Sequence, residues 1–295
     1  MSGRLARMLL VAALGFGGLV TVQVLRLRRM EFLPLHPGFW VSHSVVPRAG
    51  RSAPSGPLRL IVFGDSTTAG VGVSRAEDSL PLVLAQRLAD ARGRSVAVLS
   101  YGWSGARMHD VLRDQLQRAL LPGHQGQAPW LPTADVAVIV AGANDATHGT
   151  SPGRFRAALR AALETIRREA PLAEITVAGI PRFRGALRQL EPLMSIIDAY
   201  AILLRRVQRQ EAGRSQVHYA DLRRCVPRLA AREGLGIADV LATDHFHPSA
   251  RGYRMWAEVI FDSLQRPSPD QPLTPRAAVG DDAGAGGRDI RSGRG

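Results

Sequence analysis

Lysine is absent from this chain: all 38 of its cationic side chains are arginine, set against 25 carboxylates for a formal charge of +13. An excess of that size invites a nucleic-acid reading, so its distribution matters. Residues 1–57 carry seven Arg and one Glu, and residues 266–295 carry five Arg and four Asp; the remaining excess is spread thinly over the 208 residues between. Aromatics make up only 5% of the chain, and no compact basic stripe interleaves with them. That argues against a nucleic-acid partner. A single cysteine, Cys225, excludes an intrachain disulfide framework and a Cys-based zinc site. His245 and His247 are only two residues apart with no third histidine nearby in sequence, which argues against a metal hydrolase. Gly64, Gly70 and Gly72 have the wrong spacing for a dinucleotide or phosphate-binding loop. Gly64-Asp65-Ser66-Thr67-Thr68 lacks the second glycine of the Gly-x-Ser-x-Gly elbow that carries the usual α/β-hydrolase nucleophile. No cofactor or metal is implied.

What the chain does have is 45% hydrophobic residues, ample for a core. One uncharged run of 18, residues 8–25, is flanked by Arg4 and Arg7 before it and by Arg26, Arg28 and Arg29 after it. That length just suffices to span a membrane. A cleavable signal peptide is the alternative, but no Ala-x-Ala-like site follows. Residues 1–30 are therefore expected to form an uncleaved anchor, in the cell envelope, with its orientation left open by arginines on both flanks. Residues 31–57 hold Pro34, Pro37, Pro47, Pro54 and Pro57, and read as a linker or as an extended arm on the domain surface. Phe39 and Trp40 would lie at the membrane interface or pack on the domain.

From residue 58 strand and helix patterns alternate. Apolar runs at 60–63, 95–99, 135–141, 174–180 and 217–220 read as five buried strands. Helical spacing is found at Leu80, Leu84 and Leu88, ending at Gly93; from Pro152 to Glu169; over 190–213; and at Tyr253, Trp256, Val259 and Ile260. The alternation predicts one α/β domain over 58–265: a doubly wound, mostly parallel five-stranded sheet with helices on both faces. The Pro, Gly, Asp and Arg-rich residues 266–295 are expected to be a disordered tail.

Three loops follow strands and should open on one sheet edge: Gly64-Asp65-Ser66, Ser104-Gly105 and Gly142-Ala143-Asn144-Asp145. A fourth, Asp244 to His247, precedes the last helix. Acyl transfer by serine needs a base to take the hydroxyl proton, a carboxylate to orient that base, and fixed donors for the oxyanion. Ser66, His247 and Asp244 have the chemistry for the first two. The Ser66 and Gly105 N–H groups and the Asn144 amide have it for the third. Each residue also has a plainer reading: Asn144 and Asp244 as caps, Gly105 as a steric need of the turn, His245 and His247 as surface residues.

Taken together, the four blocks resemble those of the SGNH/GDSL hydrolase superfamily. Gly64-Asp65-Ser66 is similar to its first block, Gly105 to its second-block glycine, Gly142-Ala143-Asn144-Asp145 to its third block, and Asp244-His245-Phe246-His247-Pro248 to its fifth. The resemblance implies a flavodoxin-like three-layer fold with Ser66 as nucleophile, His247 as base and Asp244 as its partner. Ser66, Gly105 and Asn144 would form the oxyanion hole. Ser100 stands where the family often has asparagine and is expected to affect loop structure more than chemistry; Thr67 stands where leucine follows the serine, a common variation that does not count against activity. The implied activity is hydrolysis of a small-molecule or lipid ester, of the esterase, lipase or lysophospholipase type. The alternatives are an O-acyl (acetyl) esterase or acyltransferase acting on envelope glycans, and a catalytically silent ligand-binding module. Residues 121–133 and 181–192 are placed to act as lids, and Phe183, Trp130 and Trp103 either to line an acyl pocket or to pack in the core.

Overall fold

The structure, a computed structural model, describes residues 2–34, 42–48, 56–123 and 127–266. Phe39, Trp40 and the tail beyond Arg266 lie outside the described residues. The uncharged run forms α1 (Ser2–Arg29). Its mean hydropathy of 2.2 makes it long and apolar enough to cross a membrane, a property a signal sequence shares.

The sheet is built from β1 (Ser42–Val45), β2 (Leu58–Gly64), β3 (Val96–Ser100), β4 (Val136–Val140), β5 (Glu174–Ala178) and β6 (His218–Ala220). Their order is β1-β3-β2-β4-β5-β6. All neighbours are parallel except β1, which runs antiparallel to β3 with Ser42 opposite Leu99. The sheet therefore has six strands, not the five expected. The sixth comes from the proline-rich stretch, whose residues 42–45 take the arm alternative. Four residues without a continuous apolar run give no strand signal, because an edge strand buries little and is held by main-chain pairing. Arg48 N–H reinforces it by donating to Asp90 at 2.8 Å, as does Gln86 Nε2 to the Val46 carbonyl at 3.0 Å.

Helices cover both faces, and the period-2 alternation of the strands decides which side chains meet which helices. Leu60, Val62, Val136 and Val138 pack with α2 (Leu80–Arg92), α8 (Leu222–Arg232) and α9 (Ala250–Leu264). Ile61, Phe63, Ala137 and Ile139 pack on the other side with α6 (Pro152–Glu169) and α7 (Leu193–Arg214). The same side receives α3 (Met108–Asp110), one π-helical turn (Val111–Gln115) and α4 (Leu116–Leu120), which run on from one another. A single turn, α5 (Ala143–Thr147), follows β4. Helix α2 stops where Gly93 turns left-handed at φ 59°. The α8 helix is not anticipated by the sequence reading: Pro227 and four arginines interrupt its pattern, yet Leu222, Val226 and Ala230 form one buried face.

After the edge strand β1, the parallel part of the sheet begins at β2, moves to β3 on one side and then returns to β4 on the other. Strand order thus reverses at β2, and the carboxyl ends of β2, β3 and β4 open on a common crevice, where ligands of such sheets bind.

Candidate active site

Ser66 lies two residues past β2 on a turn held from several directions. The Asp65 carbonyl accepts from the Thr68 and Ala69 N–H groups at 3.0 and 3.1 Å, and the Ser66 carbonyl from Val71 N–H at 3.0 Å. The Asp65 carboxylate accepts from Thr67 N–H at 3.0 Å and from the Thr67 hydroxyl at 2.7 Å. Burial pushes the Asp65 carboxyl above its ordinary value, and those two bonds pull against it. Thr67 is thus a structural residue of the turn.

Gly64 is held by a residue the sequence reading did not single out. Its N–H donates to Gln115 Oε1 at 2.8 Å, and Gln115 Nε2 donates to its carbonyl at 2.7 Å. The β2–β3 ladder ends at Val62 opposite Ser100. Gly64 points its main-chain groups to the same side as Val62, where β3 has already departed, so the Gln115 amide completes the ladder. Only the fold could reveal this. Ser100 ties the β3 loop to the same turn, its hydroxyl donating to the Thr68 carbonyl at 2.9 Å.

The loop before α9 brings Asp244 and His247 to the crevice. Asp244 Oδ1 accepts from the Phe246 and His247 N–H groups, each at 3.0 Å, so the same carboxylate also caps the turn. Its Oδ2 lies 2.6 Å from His247 Nδ1, and His247 Nε2 lies 2.9 Å from Ser66 Oγ. The histidine and aspartate side chains are 5% and 7% exposed. Burial alone would raise the Asp244 carboxyl, but the bonds from the His247 ring and the two amides outweigh it and hold it below its usual value. The neighbouring His245 is exposed, at a left-handed φ of 56° that allows the turn, and has no part in this row.

Asn144, the chain's one asparagine, is the second residue of α5, two residues after Gly142. One of its amide protons goes to the Ala106 carbonyl at 3.0 Å, which leaves the other free. Gly105 precedes Ala106 with φ +83°, a conformation that favours glycine, and no atom stands within 4 Å of where a Cβ would project. Neither the Ser66 nor the Gly105 N–H donates a hydrogen bond among the described residues. Asp145 Oδ2 accepts from Met108 N–H at 2.9 Å and so fixes the start of α3; burial raises that carboxyl too.

Ser66, Asn144 and His247 line one cavity, continued by the apolar Ile180, Phe183, Leu222, Val226, Ile237 and Phe246. Of the aromatics expected in an acyl pocket, Phe183 is there. Trp130 is instead covered by the Arg59 guanidinium at 4.1 Å, and Trp103 has Arg118 over its ring at 5.6 Å. Residues 181–183 and Ala186 line the cavity, whereas the described part of 121–133 does not. One aromatic neighbour is unforeseen: Phe32 meets Phe246 at 4.8 Å and the His247 ring edge-on at 5.7 Å. More than 200 residues separate them in sequence, so no local pattern links them.

The fold is shared with several solved structures. The extracellular lipase of Streptomyces rimosus aligns with a TM-score of 0.52 at 22% identity, over 70% of this chain and 99% of that one. The lipase/acylhydrolase of Enterococcus faecalis gives 0.53 at 22% identity, over 73% and 100%. In sequence, the chain is 28% identical over 214 residues to the GDSL-like esterase Rv1075c of Mycobacterium tuberculosis, an alignment covering 70% of this chain and 62% of that relative's length. The profile of the GDSL-like lipase/acylhydrolase family matches residues 62–255, well over half of the sequence, and the chain belongs to that family.

Proposed function

We propose that the chain is a serine esterase that cleaves carboxylic esters through an acyl-enzyme on Ser66. The observation that carries this reading is the row Asp244–His247–Ser66, with spacings of 2.6 and 2.9 Å. Asp244, ionised because its bonds hold its carboxyl low, accepts the Nδ1 proton and leaves Nε2 with its lone pair toward Ser66. His247 takes the hydroxyl proton as Oγ attacks the acyl carbon. The same proton then passes to the leaving alcohol, and water repeats the sequence on the acyl-enzyme. The free N–H groups of Ser66 and Gly105 and the spare Asn144 proton suit the oxyanion, and each such donor is worth about 3–4 kcal/mol in comparable sites. The apolar cavity suits the acyl group.

In this reading residues 58–265 are the catalytic domain, residues 31–57 join it to α1, and α1 anchors it in the cell envelope. The test is hydrolysis of p-nitrophenyl acetate, butyrate and octanoate by the full chain in detergent, wild type beside Ser66→Ala. Turnover lost in the variant, with circular dichroism unchanged, is expected. Equal turnover by both proteins refutes the nucleophile.

A further inference from the structure

Helix α1 is not a free tether. Of the two hydrogen-bonding side chains in its uncharged run, Thr21 satisfies itself on the Gly17 carbonyl at 2.9 Å. Gln23 reaches out of the helix. Its Nε2 donates to the Glu191 carbonyl, and its Oε1 accepts from Leu193 N–H at 3.1 Å. It is 6% exposed. Both partners belong to the start of α7 and the segment before it. Val20, Val24 and Leu27 share its side of the helix at i, i+3, i+4 spacing, and together with Met30 just past the helix they pack onto the main core. An amide carried into lipid without partners costs several kcal/mol, so a glutamine here makes sense only if the helix is docked.

Docking has two consequences. Three residues beyond the helix, Phe32 is set against Phe246 and His247 at the mouth of the cavity. Second, the helix reaches only a limited distance beyond the domain. From Arg7 to Gln23 it rises about 24 Å, at 1.5 Å per residue, less than the ~30 Å of a hydrocarbon core. The residues along this length, among them Leu9, Leu10, Leu14 and Phe16, are exposed. If they are embedded, the face that carries Glu191 and Leu193 is drawn to the headgroup boundary. On that helix α7, Ile196 and Leu203 are exposed apolar residues one above the other, and Arg26, Arg28 and Arg29 stand at the end of α1, where lipid phosphates would meet them.

We propose that the Gln23 clamp makes α1 a positioning element of the enzyme, which holds the mouth of the Ser66 cavity against a lipid surface, and that the substrate is an acyl ester drawn from that surface past Phe32. This rests on the Ser66 reading, and the test separates the two.

Full-length wild type, Gln23→Leu and Phe32→Ala are placed in vesicles of phosphatidylcholine and phosphatidylglycerol. Each is given soluble p-nitrophenyl acetate and vesicle-embedded p-nitrophenyl palmitate. Leucine strengthens insertion while removing the clamp, so Gln23→Leu is expected to stay in the vesicle pellet and keep acetate turnover within about twofold. Its palmitate turnover should fall about tenfold, as expected where orientation is lost while the chemistry is intact. Deuterium uptake at residues 191–195 should rise, because the Leu193 amide loses its acceptor. Phe32→Ala leaves the clamp in place, and should lower palmitate turnover without changing that uptake. Unchanged uptake in Gln23→Leu overturns the docking, and an unchanged palmitate-to-acetate ratio in both variants overturns delivery from the lipid surface. Failure of a fluorophosphonate to label Ser66 in wild type overturns the esterase reading, while the uptake measurement still decides the docking.

Discussion

Replacing Gln115 by leucine removes the group that substitutes for a missing strand beside the nucleophile. The side chain is fully buried and makes two short bonds to the main chain of Gly64. Leucine fills nearly the same volume, so little cavity forms, but a buried N–H and a buried carbonyl lose their partners together. At about 1–3 kcal/mol for each unsatisfied group, and with some recovery from added apolar contact, the net cost is about 2–4 kcal/mol. That is roughly thirtyfold to several hundredfold in the unfolding constant. Guanidinium denaturation of the full chain in detergent, followed by tryptophan fluorescence, measures it. The Gly64 distortion should also reach Ser66 two residues on, and slow its labelling by a fluorophosphonate. Gln115→Glu separates pairing from packing. A protonated Glu can both donate to the Gly64 carbonyl and accept from its N–H, whereas the ionised form can only accept. Burial raises such a carboxyl, so its folded value exceeds the unfolded one and stability is lost as pH rises through that interval. Gln115→Glu should therefore be closer to wild type at pH 5 than at pH 8. A leucine variant within 0.5 kcal/mol of wild type, about the scatter of neutral surface changes, would refute the reasoning.

Asn144→Ala is expected to lower kcat about 10²–10³-fold with a small change in KM, since an oxyanion donor acts mainly in the transition state; steady-state kinetics on p-nitrophenyl butyrate decides it. Gly72 has φ +103°, and an added Cβ would overlap the Pro248 carbonyl beside His247. Gly72→Ala should thus destabilise by about 1–3 kcal/mol through strain and slow Ser66 labelling, whereas an unaltered labelling rate would show that the turn yields without moving His247. Asp244 is held below its ordinary carboxyl value, so its contribution to stability is full above about pH 4 and lost as pH falls through its folded value. The gap in Tm between wild type and Asp244→Asn should persist at pH 5 and close below about pH 4; a gap independent of pH contradicts the assignment of that shift to the ionised carboxylate.

Local chemistry made much of this protein legible before any coordinates. The apolar run 60–63 reads as a buried strand and the run 135–141 as a central parallel one, because strands buried on both faces need side chains without polar atoms on either. Ser66 and Asn144 were visible as polar residues just past such strands, and Asp244 and His247 as polar residues in the loop before the last helix. What sequence alone left open was whether they meet, since His247 is 181 residues from Ser66 and proximity depends on where β2 lies in the strand order. The structure brings Ser66 and His247 within 2.9 Å, and it separates Trp103 and Trp130 from the cavity they were expected to line.

The misses share one cause. β1, the Gln115 clamp, α8 and the docking of α1 through Gln23 depend on partners distant in sequence, which no periodicity records. Sequence by itself determined the alternation of strands and helices, the apolar N-terminal helix and the residues able to do the chemistry, because burial pattern and functional groups are local properties. Tertiary structure alone decided the sixth strand, the pairing of Gln115 with Gly64 and the placement of Phe32 over His247, because buried hydrogen bonds and ring contacts exist only once separate segments are packed together.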